Sequence, residues 1–398
     1  MAISSGTGSG RPSALADYLY RPEVRSVIYQ VALLAALAYA VMWVVDNVAD
    51  NLRRQNIASG FEFLGRTSGF DVAQSLIEYS NTSTYGRAFW VGLLNTLLVA
   101  VLGIAAATVI GFVVGIARLS SNWLIARLAG VYVEVVRNIP LLLQLFFWYF
   151  AVLKTLPNPR QSHALPGGAF LNVRGLYLPA PVPQPGFGFV LGALALGFVV
   201  AFGLWLWARR RQAVTGRRMA VLPYALLAIL GLPSLAYLAM GGPLVFDYPA
   251  LGGFNVQGGV AVLPELIALL LGLSIYTASF IAEIVRAGIL GVPRGQVEAA
   301  QALGLTGGQT LRLVVIPQAS RIIIPPLTSQ YLNLTKNSSL AVAIGYPDFV
   351  SVFTGTVLNQ TGQAVEVILM TMGVFLALSL ATSLFMNWFN RRMALVER

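Results

Sequence analysis

Glu298-Ala299-Ala300-Gln301-Ala302-Leu303-Gly304, with Ile316-Pro317 downstream, occupies a polar stretch between two long apolar segments. Residues 295–303 favour helix, because Val297, Ala299, Ala300, Ala302 and Leu303 surround Glu298 and Gln301. Gly304 supplies the left-handed residue that ends a helix without a Cβ clash. Thr306-Gly307-Gly308-Gln309 has the spacing of a capping box, with Thr306 as N-cap and Gln309 reaching back. The second helix is expected to end or kink at Pro317. The product is a short helix–glycine–helix knob clamped between apolar segments.

Those flanking segments set the class of the chain. Hydrophobic residues make up 57% of the 398 residues and charged residues 10%, and the mean hydropathy is +0.73. A soluble domain carries about 25% charge, so this composition reads as a multi-span membrane protein. The apolar runs are continuous rather than alternating, which excludes a β-barrel and leaves helices as the spanning elements. The net charge of +11 does not indicate nucleic-acid binding, since the arginines sit in short loops beside apolar segments. With no cysteine and a single histidine, His163, no disulfide, thiolate site or histidine-built metal site is expected. Lysine occurs only at Lys154 and Lys336, neither within G-x-x-x-x-G-K-[ST], so no nucleotide-hydrolysing P-loop is expected.

Eight spans are expected, at about 27–45, 89–117, 133–153, 187–207, 219–240, 262–285, 321–344 and 365–389, each with the ~20 apolar residues a bilayer needs. Residues 1–26 are polar and Gly/Ser-rich and are read as disordered rather than as a signal peptide; no small-residue cleavage site follows the first apolar run, so that run is expected to stay as a membrane helix. With the N-terminus inside, 17 arginines fall on the inner side, among them Arg118, Arg127, Arg209, Arg210, Arg211, Arg286 and Arg312. Seven cations fall on the outer side, and Arg137 and Lys336 lie in the membrane. That asymmetry places both termini and the knob in the cytoplasm. Residues 46–88 form an outer loop, and residues 155–261 read as an insertion carrying two extra spans. The remaining core is 89–153 and 262–391, with the knob in a loop at 286–320. The fold class is therefore an all-α integral membrane protein.

The knob resembles the EAA signature of ABC importer permeases, E-A-A-x-x-x-G followed by I-x-L-P, with Val314-Val315-Ile316-Pro317 departing at two positions. Three further stretches are similar to the polar amino-acid permeases of that family. They are Glu134-Val135-Val136-Arg137-Asn138-Ile139-Pro140-Leu141-Leu142-Leu143-Gln144, Ala282-Glu283-Ile284-Val285-Arg286-Ala287-Gly288-Ile289, and Lys336-Asn337-Ser338-Ser339-Leu340. The segment from Phe61 to Leu97 and the inserted span pair resemble the general L-amino-acid permeases of the Aap/Bzt type. The resemblance implies a type I ABC importer permease core (MetI-like) with inserted helices, in the inner membrane of a Gram-negative bacterium. It implies as partners a second homologous permease, two ATPase copies holding ATP and Mg, a periplasmic amino-acid-binding protein and an L-amino acid. No cofactor or metal is expected on this chain. The resemblance also assigns Glu298, Ala299, Ala300, Gly304, Ile316 and Pro317 to coupling with the ATPase.

Polar residues inside the spans are the remaining candidates. A zwitterionic substrate needs a donor for its carboxylate and an acceptor for its ammonium. Gln144, Glu283, Lys336, Asn337 and Ser338 could supply these if they converge. Glu134 and Arg137, three apart on one helix face, read either as an ion pair or as gating groups, and Glu283 could equally pair with Arg286. A permease for a related polar solute such as an opine is an alternative. An ion-coupled secondary transporter is another, although it would show internal repeats.

Overall fold

A computed structural model describes residues 22–54, 59–216, 219–253 and 255–393. The segment expected to be disordered lies outside these up to residue 21, as do Arg217, Arg218 and Arg398 of the charge count; its residues 22–26 are not disordered but open a helix. Among the described residues, six helices are long and apolar enough to cross a membrane, and a sharply bent pair makes a seventh. They are α1 (Pro22–Arg54), α2 (Tyr85–Ala117), the bent pair α3 (Trp123–Asn138) and α4 (Leu141–Leu153), α5 (Phe187–Thr215), α6 (Val221–Ala239), α7 (Pro264–Leu290) and a last helix at 364–392. The expected span at 321–344 begins as the helix Ile316–Asn337 and continues in tighter turns from Ser338 to Ile344. Arg321, Gln330, Asn333 and Lys336 make it too polar to stand in lipid on its own.

Helix α7 is the axis of the core. Leu269, Leu273 and Ile281 on it are fully buried, and Leu145, Leu334 and Ala107 close around them. Helix α2 lies directly against it. A Cβ on Gly111 would sit 2.6 Å from the Ile281 Cβ, and one on Gly115 would sit 2.8 Å from the Ala282 carbonyl oxygen. In lipid, helix association depends on such close packing rather than on burial from water.

The expected continuous span 133–153 is broken. Proline disfavours helical conformation in the residue before it, and Ile139 is accordingly extended (φ −98°, ψ 126°). The chain turns by 105° between α3 and α4. The Gln144 side-chain amide donates to the carbonyls of Val136 and Ile139, each at 2.9 Å, and so satisfies oxygens that the break exposes.

The all-helical expectation holds for the bundle, and short strands lie at one end of it. Strands β1 (His163–Leu165), β2 (Ala169–Asn172), β3 (Gly175–Leu178) and, from far along the chain, β8 (Val260–Val262) form one antiparallel sheet. Between them, β4 (Ala180–Pro183) pairs with β5 (Leu244–Asp247), and β6 (Ala250–Gly252) with β7 (Asn255–Gln257). The β3–β8 ladder, with Leu176 opposite Val262 and Leu178 opposite Val260, brings the two ends of the insertion together. Gly175 permits this closure, since a Cβ there would meet the Val262 carbonyl oxygen at 2.1 Å. The inserted pair α5 and α6 packs on itself: a Cβ on Gly197 would sit 2.7 Å from the Ala228 carbonyl oxygen.

Candidate functional site

The knob lies at the opposite end of α7 from this β cap. Helix α8 (Arg294–Ala302) follows Pro293, and Gly304 adopts φ 78°. The Gly304 N–H donates to the Gln301 carbonyl at 2.9 Å and the Leu305 N–H to the Ala300 carbonyl at 3.1 Å. These are the two bonds of a Schellman cap. Thr306 then caps α9 (Gly307–Thr310) with both reciprocal bonds of the capping box. Helix α10 (Ile316–Asn337) follows after one wide turn, Leu311–Val315. Pro317 therefore does not end a helix. It occupies the first turn of α10, directly after the wide turn, where its missing N–H is tolerated.

The knob is fastened from one side. Ala300 is buried, and Val297 is half-buried against the core cluster that includes Val292 and Val315. Glu298, Ala299, Gly304, Ile316 and Pro317 are exposed. So is Leu303, at 82%, a large apolar side chain at the tip of a folded element.

Near this end, a cavity of about 460 Å³ opens between α2, α3 and α7, with Arg118, Glu134, Arg137, Phe280 and Glu283 on its wall. Glu283 is clamped by two cations: Arg286 Nη2 donates to its Oε1 at 2.7 Å, and Arg118 Nη1 donates to Oε2. Glu134 and Arg137 form no ion pair with each other among the described residues. The Arg137 guanidinium instead lies over the Phe280 ring, 4.9 Å from its centroid. The wall thus offers a guanidinium and a carboxylate that are not neutralised by each other.

The other candidates do not converge there. Gln144 commits its amide donors to the broken helix. Ser338 is fully buried and donates to the Thr335 carbonyl at 2.7 Å. Lys336 is exposed in the last turn of α10, where a cation complements the helix dipole, and Asn337 is half-buried beside it. Sequence reasoning treated Arg118 only as a topology charge. The signal that could have found it is the glycine pair Gly111 and Gly115, four apart, which packs α2 against α7 and brings Arg118, three residues past Gly115, beside Glu283.

Residues 107–395 match the family described as the binding-protein-dependent transport system inner membrane component. The chain belongs to this family. The general L-amino acid transport system permease protein AapQ of Rhizobium johnstonii is 56% identical, over 99% of this chain and 97% of its own length. The putative amino-acid ABC transporter permease protein YhdX of Escherichia coli is 54% identical, over 95% of this chain and 96% of its own. The glutamate/glutamine/aspartate/asparagine transport system permease protein BztB of Rhodobacter capsulatus is 42% identical, over 96% and 97%. Among solved structures, an amino acid ABC transporter crystallised with histidines gives a TM-score of 0.46 at 21% identity, covering 77% of this chain and 95% of that one. This permease is a membrane component, with no catalytic role of its own.

Proposed function

We propose that this permease is the transmembrane subunit of an ATP-driven ABC importer of L-amino acids with broad specificity, forming half of the translocation pathway. In this reading it lies in a Gram-negative inner membrane with both termini cytoplasmic. It pairs with a second, related permease, two copies of an ATPase that binds ATP and magnesium, and a periplasmic amino-acid-binding protein. The knob carries the reading. It is an ordered element at one end of a membrane bundle, buried on one side at Ala300 and exposed at Glu298 and Leu303, which suits a rigid grip for a soluble partner. The amino-acid relatives align along almost the whole chain, insertion included.

The mechanism follows from the fastening. ATP closes the two ATPase subunits, and they carry the knobs with them. Because Val297 of α8 packs on the core cluster to which α7 and α10 both contribute, and Gln318 of α10 donates to Gln296 of α8 at 3.4 Å, displacement of the knob reaches both helices. The bundle then exchanges between outward- and inward-open states as populations shift. Glu134 and Arg137 act as polar lining at the inner end, and Lys336 and Asn337 face the partner permease. Gln144 and Ser338 hold the backbone and do not contact substrate.

Affinity capture of this permease from native membranes, with and without Glu298→Lys, tests the reading. The native chain is expected to retain an ATPase and a second permease and to support labelled amino-acid uptake. Glu298→Lys is expected to keep the second permease, lose the ATPase and abolish uptake. Normal capture and uptake by that variant would overturn the assignment of the knob.

A further inference from the structure

A second cavity, of about 480 Å³, lies where the β cap meets the core, at the end of the bundle away from the knob. Three charged side chains line it. Glu265 stands in the first turn of α7, where the helix dipole favours an anion. Its Oε1 accepts from the Tyr149 hydroxyl at 2.6 Å and lies 3.9 Å from Lys154 Nζ. Lys154 also sits over the Tyr149 ring, 4.8 Å from its centroid. Glu265 Oε2 makes no hydrogen bond among the described residues. Arg174 comes from the cap, and its guanidinium has no ion-pair partner among the described residues.

Arg174 is not on a loose loop. Its backbone N–H donates to Asn172 Oδ1 at 2.8 Å, and Asn172, fully buried, donates through Nδ2 to Ser162 Oγ at 2.9 Å. The β3–β8 ladder then pins the next residues against the strand that leads into α7. The side chain is thus held over the cavity by the same ladder that closes the insertion. Apolar wall is supplied by Val173, Tyr177 and Leu263.

Two cations, one carboxylate with a free oxygen and an apolar wall within one cavity match the shape of a free α-amino acid. We infer that this cavity is a binding site for L-amino acids, in which Arg174 and Lys154 take the α-carboxylate and Glu265 takes the α-ammonium. The substrate side chain rests on the apolar wall. Such a site reads the groups that all L-amino acids share and is tolerant of the side chain. Resting on the import reading above, it is a receiving station between the binding protein and the pathway, built by the insertion.

The test uses the assembled importer in nanodiscs, without binding protein, and saturation-transfer NMR on L-leucine. Leucine is expected to bind. Leucinamide, which lacks the carboxylate, is not expected to bind. Arg174→Ala should weaken leucine by about tenfold or more, as expected for loss of a charge-assisted bond, with Arg174→Lys in between. Recovery of intact complex checks that the variants assemble. Unchanged leucine affinity in Arg174→Ala, while the wild-type importer carries amino acids into proteoliposomes, would overturn this site alone. Loss of affinity for the binding protein with leucine binding intact would also overturn it and make Arg174 a docking residue. A wild-type importer that carries no amino acid would overturn the import reading itself.

Discussion

Gln144 shows what one amide does at a broken membrane helix. Without it, the carbonyls of Val136 and Ile139, at a break where Pro140 has no N–H to offer, would lose the side-chain donor they now share. Gln144→Leu keeps the bulk and removes the donors, so it should cost about 1–3 kcal/mol, read as a lower melting temperature of the detergent-purified complex. Asp348 presents the opposite case. It lies in the turn after residue 344, outside the spanning helices, and is fully buried. Burial pushes its carboxyl up to about 7, against backbone hydrogen bonds that lower it. Its Oδ2 finds no protein donor, whereas Oδ1 accepts from the Ser351 N–H at 2.8 Å. A carboxyl raised on folding stabilises the fold below its unfolded value and loses that contribution as pH rises towards its folded value. Stability should therefore fall between about pH 4 and pH 7 from this group. Asp348→Asn keeps the Oδ1 acceptor and should flatten that slope in melting curves taken across the range.

At the scale of elements, the knob is a unit punctuated by single residues. Gly304 has open space around it, since a Cβ there meets nothing within 4 Å. Replacing it therefore costs conformation alone, about 1–2 kcal/mol for a left-handed residue. Gly304→Ala should speed amide hydrogen exchange across 294–306 and lower uptake while leaving the spans assembled. An unchanged exchange pattern would mean that the cap is not what orders the knob. This element was legible in the sequence because its punctuation is local: a glycine, then Thr306 and Gln309 three apart. That the helix runs on through Pro317 is not legible in the sequence, because a wide turn five residues long carries no distinctive residue. The break at Pro140 was written in the sequence, but the apolar run across it outweighed the proline. The Arg118–Glu283 contact, 165 residues apart, and the β3–β8 ladder were not legible, because long-range pairing leaves no periodic trace in either partner. The polar candidates were found by type alone, and type cannot distinguish Glu283, which lines a cavity, from Gln144, which holds a backbone.

For the whole molecule, the ladder makes the insertion separable. Leu178 and Val260 are direct partners across it, so a two-residue hairpin could replace residues 179–259 without moving the core. Such an excised chain should still assemble with its partners, as judged by co-purification. Helix α1 has no buried side chain in its apolar window, and deleting residues 1–54 should leave the melting temperature of the core within about 1–2 °C. A large fall would show that α1 covers part of the core. Helix α7, by contrast, runs unbroken from the cap to the knob and carries a carboxylate near each end, Glu265 and Glu283. Eighteen residues of helix separate them by roughly 27 Å. A rod of that length pivoting near its middle is a seesaw: a tilt of about 10° shifts one end against the other by roughly 5 Å, in opposite senses. In the proposed transport cycle a push at the Glu283 end would arrive at the Glu265 end reversed, narrowing one mouth of the permease by the stroke that widens the other.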